Sequence, residues 1–176
     1  MLKNLNISVL EFLFPLSIWI FGVLAVAATQ LDNSVIHDNF QVVNITIIEN
    51  SFLFDFFIIF LNNFMLGLLL VYLGYFSFGL FSLFSTCFNS FMFGSLILDF
   101  LKYNSIIELL NMIIHAPFEI VSFSIFAAIG LKNLWIIGDV FDKPTFELTS
   151  LPRLNCLYLP IGLLVLSSVL ESFFRN

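Results

Sequence analysis

Apolar residues run along this 176-residue chain in blocks separated by short polar intervals. The first block extends from roughly residue 7 to 28, with Pro15 and Gly22 inside it, both better tolerated in membrane helices than in soluble ones. The polar stretch that follows, "TQLDNSVIHDNFQVVNITIIEN", carries no lysine or arginine, and its alternation around Val42 to Ile48 fits either a short strand or an interfacial amphipathic helix. From Phe52 to Leu98 the chain is almost continuously apolar. One crossing of a hydrocarbon core takes about 20 helical residues, so this block predicts two helices. Their turn is expected in "LGYFSFG", residues 73 to 79, where glycines and aromatics suit an interfacial bend. The connection "DFLKYNS", residues 99 to 105, leads into an apolar segment from 106 to 137; a polar loop from about 138 to 153 and a last span from about 155 to 173 complete the chain.

Within the 106 to 137 segment, Pro117 lacks an amide hydrogen and clashes with the preceding turn. A helix break is therefore expected between Ile113 and Ala116, near His115. The segment reads as one broken span or as two short half-helices. With one broken span the chain crosses five times, and an N terminus inside puts Lys3, Lys132, Lys143 and Arg153 on the cytoplasmic side and Lys102 and Arg175 outside. Six crossings is the alternative, and it sets Lys132, Lys143 and Arg153 outside, against the positive-inside bias. The prediction is an all-α polytopic transmembrane bundle, a single integral membrane domain over residues 1–176.

Composition agrees, since mean hydropathy is +1.07 and only 10% of residues are charged. Lys3 precedes an apolar stretch ending Ala25-Val26-Ala27, which looks like a secretory signal, but Glu11 interrupts it and a retained first span is expected. A net charge of −6 excludes the basic stripe that nucleic acid requires. Asp32, Asp38 and Glu49, and again Asp139, Asp142 and Glu147, gather in the presumed loops, as a solvated edge or as a docking surface for a cationic partner. The 25 phenylalanines suit lipid-facing positions and define no site.

Ionisable groups at mid-bilayer cost about 2.5 to 3.5 kcal/mol on insertion scales. Glu11, Asp55, Glu108, His115 and Glu119, with Asn62, Asn63 and Asn89, are therefore expected to face one another rather than lipid. On an unbroken helix Glu108, His115 and Glu119 share one face. A His115–Glu119 hydrogen bond would hold the imidazole charged or fix its tautomer. That pair reads either as a cap on a broken helix, tied to Asn62 or Asn63 of a neighbour, or as a catalytic or transport group.

Recognised catalytic signals are missing: the chain has no HExxH, GxSxG or P-loop. With His37 and His115 the only histidines, a zinc site would need carboxylate help, and no metal or cofactor is expected. Cys87 and Cys156 form no CxxC, and a Cys87–His115 dyad stands as a remote catalytic alternative. Gly67, Gly74, Gly79 and Gly94 offer small surfaces on which helices approach closely, with the Asn89 amide able to bond across the contact, in a compact bundle or an oligomer.

The segment "FLNNFMLGLLLVYLGYFSFGLFSLFSTCFNSFMFGSLI", residues 60 to 97, followed by "IIHAPFEIVSFSIFAAIGLK", resembles the stage II sporulation protein M family. The resemblance covers roughly residues 54 to 132 and rests on the asparagine pair, the Asn89 to Gly94 spacing, and Glu119 leading into an Ala- and Gly-rich helix. Two departures stand out: Asn89-Ser90 replaces the family's Asn-Gly, and His115-Ala116-Pro117 its Pro-His. The resemblance implies a bacterial multi-pass cell-membrane protein. Within the family it looks closest to small members encoded with circular bacteriocins. That branch implies maturation, export or immunity of a hydrophobic cationic peptide, alongside other membrane proteins and an ATP-binding cassette subunit. The other branch implies a scaffold for cell-wall hydrolases, and an intramembrane enzyme acting on a peptide is a third reading. Glu119, His115, Glu108, Asn62, Asn63 and Asn89 are the candidate contacts to substrate or partner.

Overall fold

The computed structural model describes residues 7–32, 52–102, 104–132 and 154–175. Among these the chain forms α-helices and no strand: α1 Val9–Asp32, α2 Phe52–Phe76, α3 Leu80–Leu101, α4 Ile106–Met112, α5 Ala116–Gly130 and α6 Tyr158–Arg175, the last entered through a 3-10 turn at Leu154–Leu157. Four helices, α1, α2, α3 and α6 with its leading turn, are long and apolar enough to cross a membrane, and there are five spans when the bent α4–α5 pair is one span. That pair turns through 48° at its break. With 7 residues, α4 is about 10 Å long and cannot cross a ~30 Å core alone. The polar stretch with its strand-or-helix reading at 42–48, and the loop from 138 to 153, lie outside the described residues.

Local chemistry accounts for the helix ends. Ser8 and Glu11 form reciprocal bonds at the start of α1: the Ser8 amide donates to Glu11 Oε2 at 2.6 Å and the Glu11 amide to Ser8 Oγ at 3.1 Å. Ser105 and Glu108 repeat that capping box at the start of α4. Between α2 and α3 the turn occupies Ser77–Gly79. Gly79 sits there at φ 84°, a left-handed conformation that glycine adopts without a Cβ penalty, and its amide returns to the Gly74 carbonyl at 2.6 Å. Pro117 falls in the first turn of α5, where its missing amide is no loss. The expected break is thus the three-residue turn 113–115, and the proline starts a helix instead of kinking one.

At the centre lies α5, which packs against α1, α2, α3 and α6. Every residue from Ser122 to Leu131 is buried. Large side chains such as Leu10, Phe21, Phe57 and Phe84 point outward, the inverse of a water-soluble bundle. Small residues let the helices close on α5. A Cβ at Gly67 would meet the ring of Phe126 at 2.6 Å, and Gly74 of α2, Ser82 of α3 and Gly130 of α5 crowd into one three-helix contact. There Ser82 Oγ donates to the Leu70 carbonyl at 2.6 Å. Gly22 against Ser90, and Gly94, where an added Cβ would stand 3.1 Å from the Val23 backbone, bring α1 onto α3.

Two hydroxyl bonds set α6 antiparallel to α5: Ser122 Oγ donates to the Pro160 carbonyl at 2.8 Å and Ser167 Oγ to the His115 carbonyl at 3.3 Å. The start of α5 therefore meets the end of α6. The Gly74–Ser82–Gly130 contact marks the opposite end of α5, beside the Ser77–Gly79 turn.

A candidate polar site at the helix break

His115 is the residue before α5, and its carbonyl opens the helix by accepting the amides of Phe118 at 3.1 Å and Glu119 at 3.4 Å. Its side chain makes no capping bond, so the imidazole is available for other partners. Nε2 lies 3.5 Å from Glu171 Oε2 and 3.8 Å from Glu119 Oε2. One ligand atom from each of the three residues falls within 4.8 Å of the others. The imidazole is 16% exposed and the carboxylates 25% and 28%. Two carboxylates at such a separation repel by about 1 kcal/mol in water and about 3 at an effective dielectric of 20. A positive charge among them relieves that repulsion, whether an imidazolium or a cation from outside.

Two of the residues expected in the site, His115 and Glu119, come together here. Glu108 does not join them, because the break ends the face the three would share on a continuous helix. Instead Glu108 is exposed, and its Oε2 accepts the Ser105 amide at 2.9 Å. Asn62 is exposed and Asn63 half-buried, and among the described residues neither bonds to the cluster. Asn89 turns into its own helix, donating to the Ser85 carbonyl at 2.8 Å and to Ser85 Oγ at 3.3 Å, not across to a neighbour. Glu11 is likewise occupied at the start of α1. Of the four glycines, Gly67, Gly74 and Gly94 make contacts within the chain and Gly79 makes the turn.

Sequence reasoning missed Glu171. Its signal was an acid inside the otherwise apolar "IGLLVLSSVLESFF", the same signal that singled out Glu119. It missed the serines as well. Ser122, Ser124, Ser167, Ser168 and Ser172 are all fully buried on α5 and α6, and Ser122 and Ser167 bond across the contact between the two helices. Among the described residues the hydroxyls of Ser124 and Ser168, and the indole nitrogen of Trp19, are buried without a hydrogen-bond partner.

The sequence model described as stage II sporulation protein M matches residues 11–174, a longer region than the 54 to 132 on which the motifs alone bear. Neither a curated protein nor a solved structure matches the chain.

Proposed function

Since the chain belongs to the stage II sporulation protein M family, we propose that this multi-pass membrane protein is the membrane subunit of a complex that matures, exports or confers immunity to a hydrophobic cationic peptide of the circular bacteriocin type. The observation that carries this reading is the convergence of His115, Glu119 and Glu171 at a helix break inside an apolar bundle. Interrupted helices are where membrane transporters place binding sites, since the backbone freed at the break and the ionisable groups around it have no other use in lipid. Two carboxylates on separate helices suit the amine or guanidinium of a basic side chain, and the outward phenylalanines suit the apolar rest of such a peptide. No P-loop occurs in the sequence, so energy comes from a partner, an ATP-binding cassette subunit in this reading.

Mild-detergent purification of the tagged chain from its host, with mass spectrometry of what accompanies it, tests the proposal. An ATP-binding subunit and a small basic apolar peptide are the expected companions. Recovery of peptidoglycan hydrolases without them would replace this reading with a wall-remodelling scaffold. Glu119→Gln removes one charge-assisted contact, worth about 1.5–3 kcal/mol, and should lower peptide output or immunity at least about tenfold with the bundle intact. Unchanged output in that variant would remove Glu119 from the peptide contact.

A further inference from the structure

We infer that His115, Glu119 and Glu171 form a site for one divalent first-row metal ion of the zinc to manganese class. Ligand chemistry, spacing and local charge each carry part of the inference. One imidazole nitrogen and two carboxylate oxygens form a donor set that zinc, manganese and ferrous iron all accept, whereas thiolate-seeking ions would find no sulfur in it. In a tetrahedral zinc site, ligand atoms about 2.0–2.2 Å from the ion stand roughly 3.3–3.6 Å apart. His115 Nε2 and Glu171 Oε2 already stand 3.5 Å apart, and His115 Nε2 and Glu119 Oε2, at 3.8 Å, need to close by only a few tenths of an ångström. Glu119 and Glu171 come from two helices and His115 from the turn residue that leads directly into α5, and the Ser167–His115 and Ser122–Pro160 bonds fix the register in which the three meet. A divalent ion also neutralises both carboxylates at once, which a neutral imidazole cannot do.

Ser168 is a second buried polar group on the side of α6 that carries Glu171. Its hydroxyl is fully buried without a partner among the described residues and lies three positions before Glu171 on α6, on the same side of that helix. Three protein ligands leave a tetrahedral ion one open position, the arrangement of sites that take up a water or a substrate oxygen. A peptide carbonyl or carboxylate is the ligand class that this position suits. The metal site stands whether the bundle serves a peptide or a scaffold; in the peptide reading the ion takes the place given above to a basic side chain, and the peptide meets it through an oxygen ligand.

The test is metal analysis of the full chain, purified in mild detergent without chelator or a histidine tag, followed by titration with zinc, manganese and cobalt(II). Expected are about one ion per chain and a cobalt absorption spectrum typical of a low-coordinate N/O site. Losing a ligand should weaken binding by about 100-fold or more in His115→Ala and in the isosteric Glu171→Gln. Glu108→Gln, outside the cluster, should retain the metal. Less than a tenth of an equivalent, at about micromolar free zinc and with no cobalt spectrum, would overturn the inference. So would metal held at the wild-type level by both ligand variants. Should His115→Ala fail to fold, Glu171→Gln and the wild-type titration still decide. A metal-free chain whose peptide output nonetheless depends on Glu119 would refute the metal site and leave the peptide reading standing.

Discussion

The two halves of α5 are held by different chemistry. Its C-terminal half meets α2 and α3 through Gly74, Ser82 and Gly130, where the Ser82 hydroxyl bonds the backbone carbonyl of Leu70. The N-terminal end of α5 meets α6 through serines, an imidazole and two carboxylates. Helix association in lipid draws on close packing and hydrogen bonds rather than on a hydrophobic driving force between helices. The first contact supplies both with no ionised group. By contrast, carboxylates in the second add desolvation and repulsion that packing does not need, which is why function is sought there and not at the glycines.

The largest effect is expected from breaking the packed half. Gly130→Leu directs a side chain at the Leu70 carbonyl and the Ser82 hydroxyl, and the first of these is backbone that cannot move aside. The strain of such overpacking is expected to exceed about 3 kcal/mol, and the variant should unfold early or fail to accumulate. Thermal unfolding in detergent measures it. If Gly130→Leu melts with the wild type, α5 is not clamped as described.

A smaller effect, of opposite sign, belongs to the polar end. In metal-free protein Glu171→Gln removes one of two repelling charges, so stability should hold or rise by about 1 kcal/mol. The double variant Glu119→Gln/Glu171→Gln should change stability by less than the sum of the two single changes, because only one repulsion exists to relieve. A double-mutant cycle read by the same unfolding assay checks this. Additive effects would mean that the two carboxylates do not sense each other.

Much of this contrast is written locally, and its decisive half is not. Hydropathy alone marks the spans, Pro117 marks the break at 113–115, and Gly79 marks the hairpin turn, because each depends on residues adjacent in sequence. The cluster instead depends on α6 lying antiparallel to α5, which brings Glu171 to His115 across a long sequence separation. Nothing near Glu171 in the chain announces that pairing. A different error affected Glu11 and Glu108. Reasoning from the cost of a charge in lipid grouped them with Glu119, although Ser8-x-x-Glu11 and Ser105-x-x-Glu108 are capping boxes readable in the sequence itself. The cost argument holds only for carboxylates well inside a span, and both of these stand at a helix start, where the backbone amides supply donors. Asn89 failed for a third reason: an asparagine inside a helix can satisfy its amide on the preceding turn, as this one does on Ser85.

The smallest effect is the sharpest control, because Glu108→Gln and Glu119→Gln are the same chemical change on either side of one helix break. At 108 the amide oxygen can still accept the Ser105 amide, since glutamine serves as well as glutamate at that position of a capping box. Exposed and away from the cluster, the substitution should move stability by no more than about 0.5 kcal/mol and leave metal content and peptide output unchanged. At 119 the same swap takes away a charge that His115 faces at 3.8 Å. The pair separates a general requirement for acidic residues, which both variants would breach equally, from a requirement for this carboxylate beside this histidine. Equal losses in the two would show that overall negative charge, and not the geometry at the start of α5, governs the protein's activity.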